Sequence, residues 1–182
     1  MEELSPDMFV VPAIALTLVI TLYVYFRRKV ADQSGYRYFV ITVAVVAYVL
    51  NLIWEVAQGP LYENFQYDGK HISICALASV ADMFMVFILL FGFGLVYHSV
   101  FWVRHLSMSR SLLLVFVGGA GAILSEMWHT ARNDWTYAES MPILPVVEVG
   151  LSPVLQFAIL PLTVFLISRK TLRSYNFQSQ KR

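Results

Sequence analysis

The run YFVITVAVVAYVLNLIWEVA, residues 38–57, decides how this chain is read. Its length and apolar character suit an α-helix crossing a hydrocarbon core about 30 Å thick. Near the end of the run stand Asn51, Trp54 and Glu55. A carboxylate at or inside the edge of hydrocarbon is costly and usually faces a bundle interior or a cavity. Asn51 and Glu55 are four residues apart and leave one helical face, and Gln58 extends that stripe by a further turn. Such a stripe either ties the helix to its neighbours by hydrogen bonds or lines a site.

Composition agrees with the membrane reading. The 182 residues are 58% hydrophobic and 14% charged, too apolar for a soluble domain. A net charge of +1 leaves no expectation of a nucleic-acid partner. The single cysteine, Cys75, excludes an intrachain disulfide and a cysteine metal cluster within one protomer, and reads as a small buried apolar residue. Met1 to Met8 is acidic, and no small-residue cleavage site follows the long apolar run after it, so a span is expected there and not a cleaved leader.

Five segments are long enough to cross a bilayer, at about 8–26, 38–57, 74–97, 112–129 and 145–167. The expected fold is therefore all-α: a polytopic membrane protein forming a five-helix transmembrane bundle, one domain over residues 1–182. Arg27, Arg28, Lys29 and Arg37 follow the first span, Arg104 and Arg110 the third, and Arg169, Lys170, Arg173, Lys181 and Arg182 the fifth. The two other connections hold only Lys70 and Arg132. The excess of basic residues on cytoplasmic loops places the amino terminus outside and the carboxyl terminus in the cytoplasm, in what is expected to be a bacterial inner (plasma) membrane.

That orientation sets depth. Asn51, Glu55 and Gln58 fall near the outer end of the second span, Asp82 about two turns below the outer start of the third, and Glu126, Trp128 and His129 at the outer end of the fourth. Glu148, Ser152 and Gln156 are expected to share a face of the fifth. The acids thus collect in the outer half, and the inner half reads as scaffold. Gly118, Gly119 and Gly121, with Gly92 and Gly94, are expected to let helices approach closely. Pro153 and Pro161 are expected inside the fifth helix, where each can kink it. The outer loops, with Tyr62, Glu63 and Phe65 in one and Arg132, Asp134, Trp135 and Tyr137 in the other, suit an interfacial belt or a lid.

Four acids at similar depth, Glu55, Asp82, Glu126 and Glu148, are the equipment for acid–base catalysis on an apolar substrate: one donates a proton and another accepts it. His129 is placed to orient Glu126 or a polar group of the substrate. Trp54, Trp128, Trp135 and Tyr137, with Phe84, can turn aromatic faces towards a developing cation. Asn51, Gln58 and Gln156 can hydrogen-bond a substrate. Glu126 and His129 form one E-x-x-H pair where a di-iron bundle needs two, so no metal is expected, and no cofactor is called for. No G-x-S-x-G, H-E-x-x-H or phosphate-cradling glycine loop is present.

Asn51-x-x-Trp54-Glu55, followed by Asp82-Met83, resembles the N-x-x-W-E signature of the fungal integral-membrane terpene cyclases that make meroterpenoids. The resemblance covers the second and third helices of a chain shorter than those enzymes. It implies that Glu55 protonates an epoxide or olefin to start cyclisation. Trp135-Thr136-Tyr137, Met141-Pro142, Pro145-x-x-Glu148 and Pro161 are similar in layout to the heterodimeric and fungal-type lycopene cyclases, which carry a W-x-(Y/F) loop and a P-x-E-E segment. Here Val147 stands beside the single acid Glu148. The five spans and the order of acids look like the emopamil-binding sterol isomerases, whose membrane carboxylates move a double bond by adding and removing protons. The W-E and M-P motifs also resemble uncharacterised bacterial membrane proteins. Together these likenesses imply a cyclase or isomerase acting on a lipid-soluble isoprenoid among membrane lipids, and a homo-oligomer is compatible with them. A non-catalytic lipid- or sterol-binding protein and a proton-coupled carrier would use the same features and stay open.

Overall fold

The structure, a computed structural model, describes residues 10–179. The acidic Met1–Met8 segment, the expected helix start at Met8, and Lys181 and Arg182 lie outside the described residues. Among the described residues there are five α-helices: α1 (Val10–Lys29), α2 (Gln33–Gln58), α3 (Gly69–Val96), α4 (Met108–Ala131) and α5 (Leu151–Ser179). Four of them, α2 to α5, hold stretches long and apolar enough to cross a membrane. A two-residue antiparallel pair, β1 (Ile143–Leu144) and β2 (Val149–Gly150), precedes α5.

Polar caps set the helix starts, which is why α2, α3 and α4 begin before their apolar runs. The side chains of Asp32, Asp68 and Ser107 accept hydrogen bonds from the backbone N–H groups of Gly35, His71 and Arg110. Each satisfies a donor that the first helical turn leaves without an internal partner. Backbone geometry sets the far ends. Pro60, with no N–H to donate, follows α2, while His98 after α3 and Asn133 after α4 take left-handed φ values of 54° and 58°.

The fifth helix corrects the reading from sequence. It starts at Leu151 and not at Pro145, because residues 143–150 close into the β1–β2 hairpin. Glu148 sits in the hairpin turn at φ 53°, exposed, so it shares no helical face with Ser152 and Gln156. Pro153 falls in the first turn of α5, where a missing N–H costs nothing, and only Pro161 lies inside the helix.

The helices pack in an open row, α1 on α3, α3 on α2, α2 on α5 and α5 on α4, and α3 and α4 barely touch. Large apolar side chains stand on the outside of the bundle while some polar ones are buried. Leu77, Phe116 and Leu124 are 67%, 71% and 68% exposed, whereas Asn51 and Gln156 are 1% exposed. Apolar groups outside and hydrogen-bonded amides such as Asn51 and Gln156 inside suit lipid as the solvent.

Small residues act at selected points only. A Cβ on Gly118 would lie 2.2 Å from the carbonyl oxygen of Phe157, so α4 and α5 meet there backbone to backbone. Gly94 gives the same room to Phe26. Gly92 and Gly121 do not serve the close packing expected of them, since a Cβ on either would meet nothing within 4 Å. At the end of the bundle where α1 joins α2 and α3 joins α4, Phe26, Phe39, Phe91, Phe93, Trp102 and Phe165 form the buried core. Trp102 donates Nε1–H to the Leu90 carbonyl at 2.9 Å and lies between Phe93 and Phe165, with ring centroids 5.1 and 5.5 Å away.

Candidate active site

The opposite end is built from hydrogen bonds. The face of α2 that carries Asn51, Glu55 and Gln58 meets Asp82 on α3 and Gln156 on α5. Gln156 Nε2 donates to Asn51 Oδ1 at 2.9 Å and to Asp82 Oδ2 at 3.0 Å, and its Oε1 accepts from Gln58 Nε2 at 3.0 Å. Gln58 Nε2 also donates to Glu55 Oε1 at 2.7 Å, while Gln58 Oε1 accepts from Ser152 Oγ at 2.8 Å and from Trp54 Nε1 at 3.2 Å. Asn51 Nδ2 closes on the Ala47 carbonyl at 2.8 Å. These bonds spend both amide protons of Gln58 and both of Gln156, so the two amides are struts that fix the acids. Glu55 and Asp82 are thus held by two amides that are themselves joined, Glu55 by Gln58 and Asp82 by Gln156.

Glu126, 6% exposed, comes from α4. Its Oε2 accepts from the Tyr137 hydroxyl in a short hydrogen bond and from Trp135 Nε1 at 3.3 Å. Burial, reinforced by the hydrogen bond to Glu126, pushes the Tyr137 phenol up to about 12, so its proton stays on oxygen as the donor Glu126 requires. His129 does not contact Glu126 by hydrogen bond, as the sequence had allowed. Its Nδ1 is 2.7 Å from Asp134 Oδ2, and its ring stacks on Trp135 at 4.3 Å between centroids. Arg132 Nε lies 3.5 Å from the same Asp134 oxygen. An aspartate on one ring nitrogen fixes the imidazole orientation and leaves Nε2 for proton exchange with a bound molecule.

Two loops zip together over these groups. The Glu63 N–H donates to the Thr136 carbonyl at 3.0 Å and the Ala138 N–H to the Leu61 carbonyl at 2.9 Å, on either side of a Tyr62–Tyr137 bridge. Tyr62 stands edge-on to Trp135 at 6.4 Å, and burial with the surrounding acids raises its phenol well above the usual range. On the rim, hydrogen bonds from the His71 backbone and ring hold the Asp68 carboxyl below its ordinary value.

Beneath the lid lies a cavity of about 960 Å³, within the size range of small-molecule sites. Glu55, Asp82, Glu126, His129, Gln58, Gln156, Trp128 and Trp135 all line it, as does Phe84. Asn51, Trp54 and Tyr137 stand behind that wall as supports. Glu148 takes no part. Cys75 is buried, as expected, and lines the same space. Among the described residues no group of three or more His, Cys, Asp or Glu is arranged to hold a metal ion.

Asp134 and Tyr62 are the site residues that sequence reading passed over as lid or belt. The signal for Asp134 was its distance of five residues from His129, which brings the two together only once α4 stops at Ala131. No family model matches the chain, and no curated protein or solved structure matches it either.

Proposed function

We propose that this chain is a membrane-embedded cyclase or isomerase that moves protons on a lipid-soluble isoprenoid. In this reading α1 is a fifth span, the amino terminus is outside, the carboxyl terminus is cytoplasmic, and the protein sits in a bacterial inner membrane. The observation that carries the reading is the meeting of Glu55, Asp82 and Glu126, from three helices, at one largely apolar chamber under an aromatic lid.

The chemistry follows from the two kinds of acid site. The Glu55–Asp82 pair donates its proton to an epoxide oxygen of the substrate, and the carbon–oxygen bond breaks to leave a hydroxyl and a tertiary cation. An internal alkene closes on the cation, and Glu126, or His129 held by Asp134, removes a proton from the adjacent carbon. The product is an isomer of the substrate, so no oxidant or reductant is consumed, and the proton gained by Glu126 or His129 returns through water to the pair. An epoxide is favoured over a bare alkene because a carboxylic acid protonates oxygen far more readily than carbon. Trp135 and Phe84 offer faces to the cation.

The test is incubation of the purified protein in lipid nanodiscs with terminally epoxidised farnesol, followed by gas chromatography and mass spectrometry. A cyclic product of unchanged mass supports the reading. Unaltered substrate, retained on the protein, supports instead a binding protein that uses the same acids to hold a hydroxyl.

A further inference from the structure

The described residues do not close the cavity on all sides. Because α3 and α4 barely touch, its side wall is a gap between Ala81 and Met85 on one helix and Val117 and Ser125 on the other, all exposed. The acids stand at one end of this gap. Leu89 lies seven residues along α3 from Asp82, and Val117 nine residues along α4 from Glu126, so the apolar part runs roughly 10–13 Å deeper into the bilayer region at about 1.5 Å per residue. Gly121 faces the gap, and a Cβ there would meet nothing within 4 Å.

Charge sets what the inner end can accept. The basic side chains lining the cavity each lie against an aspartate: His71 against Asp68, and His129 and Arg132 together against Asp134. Among the described residues no ion pair joins Glu55, Asp82 or Glu126 to a cation. A phosphate, diphosphate or carboxylate head placed beside Glu55, Asp82 and Glu126 would therefore meet acids that no described basic group offsets. A neutral hydroxyl or epoxide meets hydrogen-bonding groups.

We propose that the α3–α4 gap is a lateral entrance for a neutral, single-chain isoprenoid alcohol or epoxide, which slides in from the lipid with its reactive end at Asp82 and Glu126 and its tail along Met85, Leu89 and Val117. This names the substrate class of the site above and rests on that reading. It also separates the site from one built for prenyl diphosphates.

The experiment uses farnesol and farnesyl diphosphate, each carrying a diazirine at the tail end, photolysed with the protein in nanodiscs and mapped by peptide mass spectrometry. The farnesol probe is expected to label the stretch around Met85, Leu89 and Val117, with competition by plain farnesol, and the diphosphate probe at least about tenfold less, since its charged head would meet like charge at the acids. Gly121→Phe, which fills open space, is expected to abolish that labelling, and Gly92→Phe, at a glycine with equal room that does not line the cavity, to leave it unchanged. Equal labelling by the diphosphate would overturn the proposal. So would labelling of Phe116 and Leu124 as strong as that of the gap, which would mean bilayer lipid alone, or a disulfide-linked dimer from Gly121→Cys in a Cys75→Ala background, which would put a second copy there. Specific labelling without ring closure leaves this inference standing and removes the catalytic reading. Ring closure that proceeds undiminished in Gly121→Phe does the reverse.

Discussion

The two ends of the bundle are held together by opposite means. At one, Trp102 and the aromatic rings around it fill the interior, tied to the backbone by two side-chain bonds, from Trp102 to the Leu90 carbonyl and from Tyr36 to the Tyr23 carbonyl. At the other, Gln58, Gln156 and Asn51 link α2, α3 and α5 through side-chain hydrogen bonds, and a cavity of about 960 Å³ remains between them. In lipid, apolar burial gives helices little reason to associate, so shape fit or hydrogen bonding must do it. The difference teaches how a small bundle keeps an open chamber: amide struts satisfy each other and the acids without filling the space.

Replacing an aromatic at the packed end should cost the most. Trp102→Ala is expected to lose about 3–5 kcal/mol of stability in a detergent denaturation series, with turnover per folded molecule unchanged. A fall in turnover among folded molecules would break the division of labour between the ends. Gln156→Leu should cost less stability, about 1–3 kcal/mol for the polar groups left without partners, yet lower turnover by about a hundredfold because Asp82 loses its positioning donor. Full activity in that variant would show that the acids do not depend on the struts. Tyr137→Phe removes one hydrogen bond from Glu126 and is expected to cost about 1 kcal/mol and about tenfold in turnover, compared by initial rates at equal folded protein. Glu148→Gln should change stability by less than about 0.5 kcal/mol, as for an ordinary surface substitution, and leave product formation as it was. Loss of product there would return the hairpin acid to the site.

Much of this contrast is written in local pattern. The apolar runs announce the helices, and the spacing of Asn51, Glu55 and Gln58 announces one polar face, since both follow from helical periodicity alone. The common depth of Glu55, Asp82 and Glu126 follows from alternating helix direction. What stayed hidden depends on contacts between distant segments. Pro145 reads as a helix start, and only the pairing of Ile143–Leu144 with Val149–Gly150 turns that stretch into a hairpin and carries Glu148 away. His129 looks like a partner for Glu126 until the end of α4 brings Asp134 back onto it. The open row of helices leaves no mark in sequence, because α3 and α4 are both apolar whether they face each other or lipid.

The proton-donating role of the Glu55–Asp82 pair is tested most directly by single-turnover ring closure of terminally epoxidised farnesol in Glu55→Gln and Asp82→Asn proteins, each shown to be folded by its helical circular dichroism and its detergent melting curve. The amides keep the shape of the carboxyl groups and remove the transferable proton. Each variant is expected to lose at least about a hundredfold in rate, the lower range for a general acid, while still binding the farnesol probe. Ring closure at the unaltered rate in either folded variant would contradict the role given to the pair.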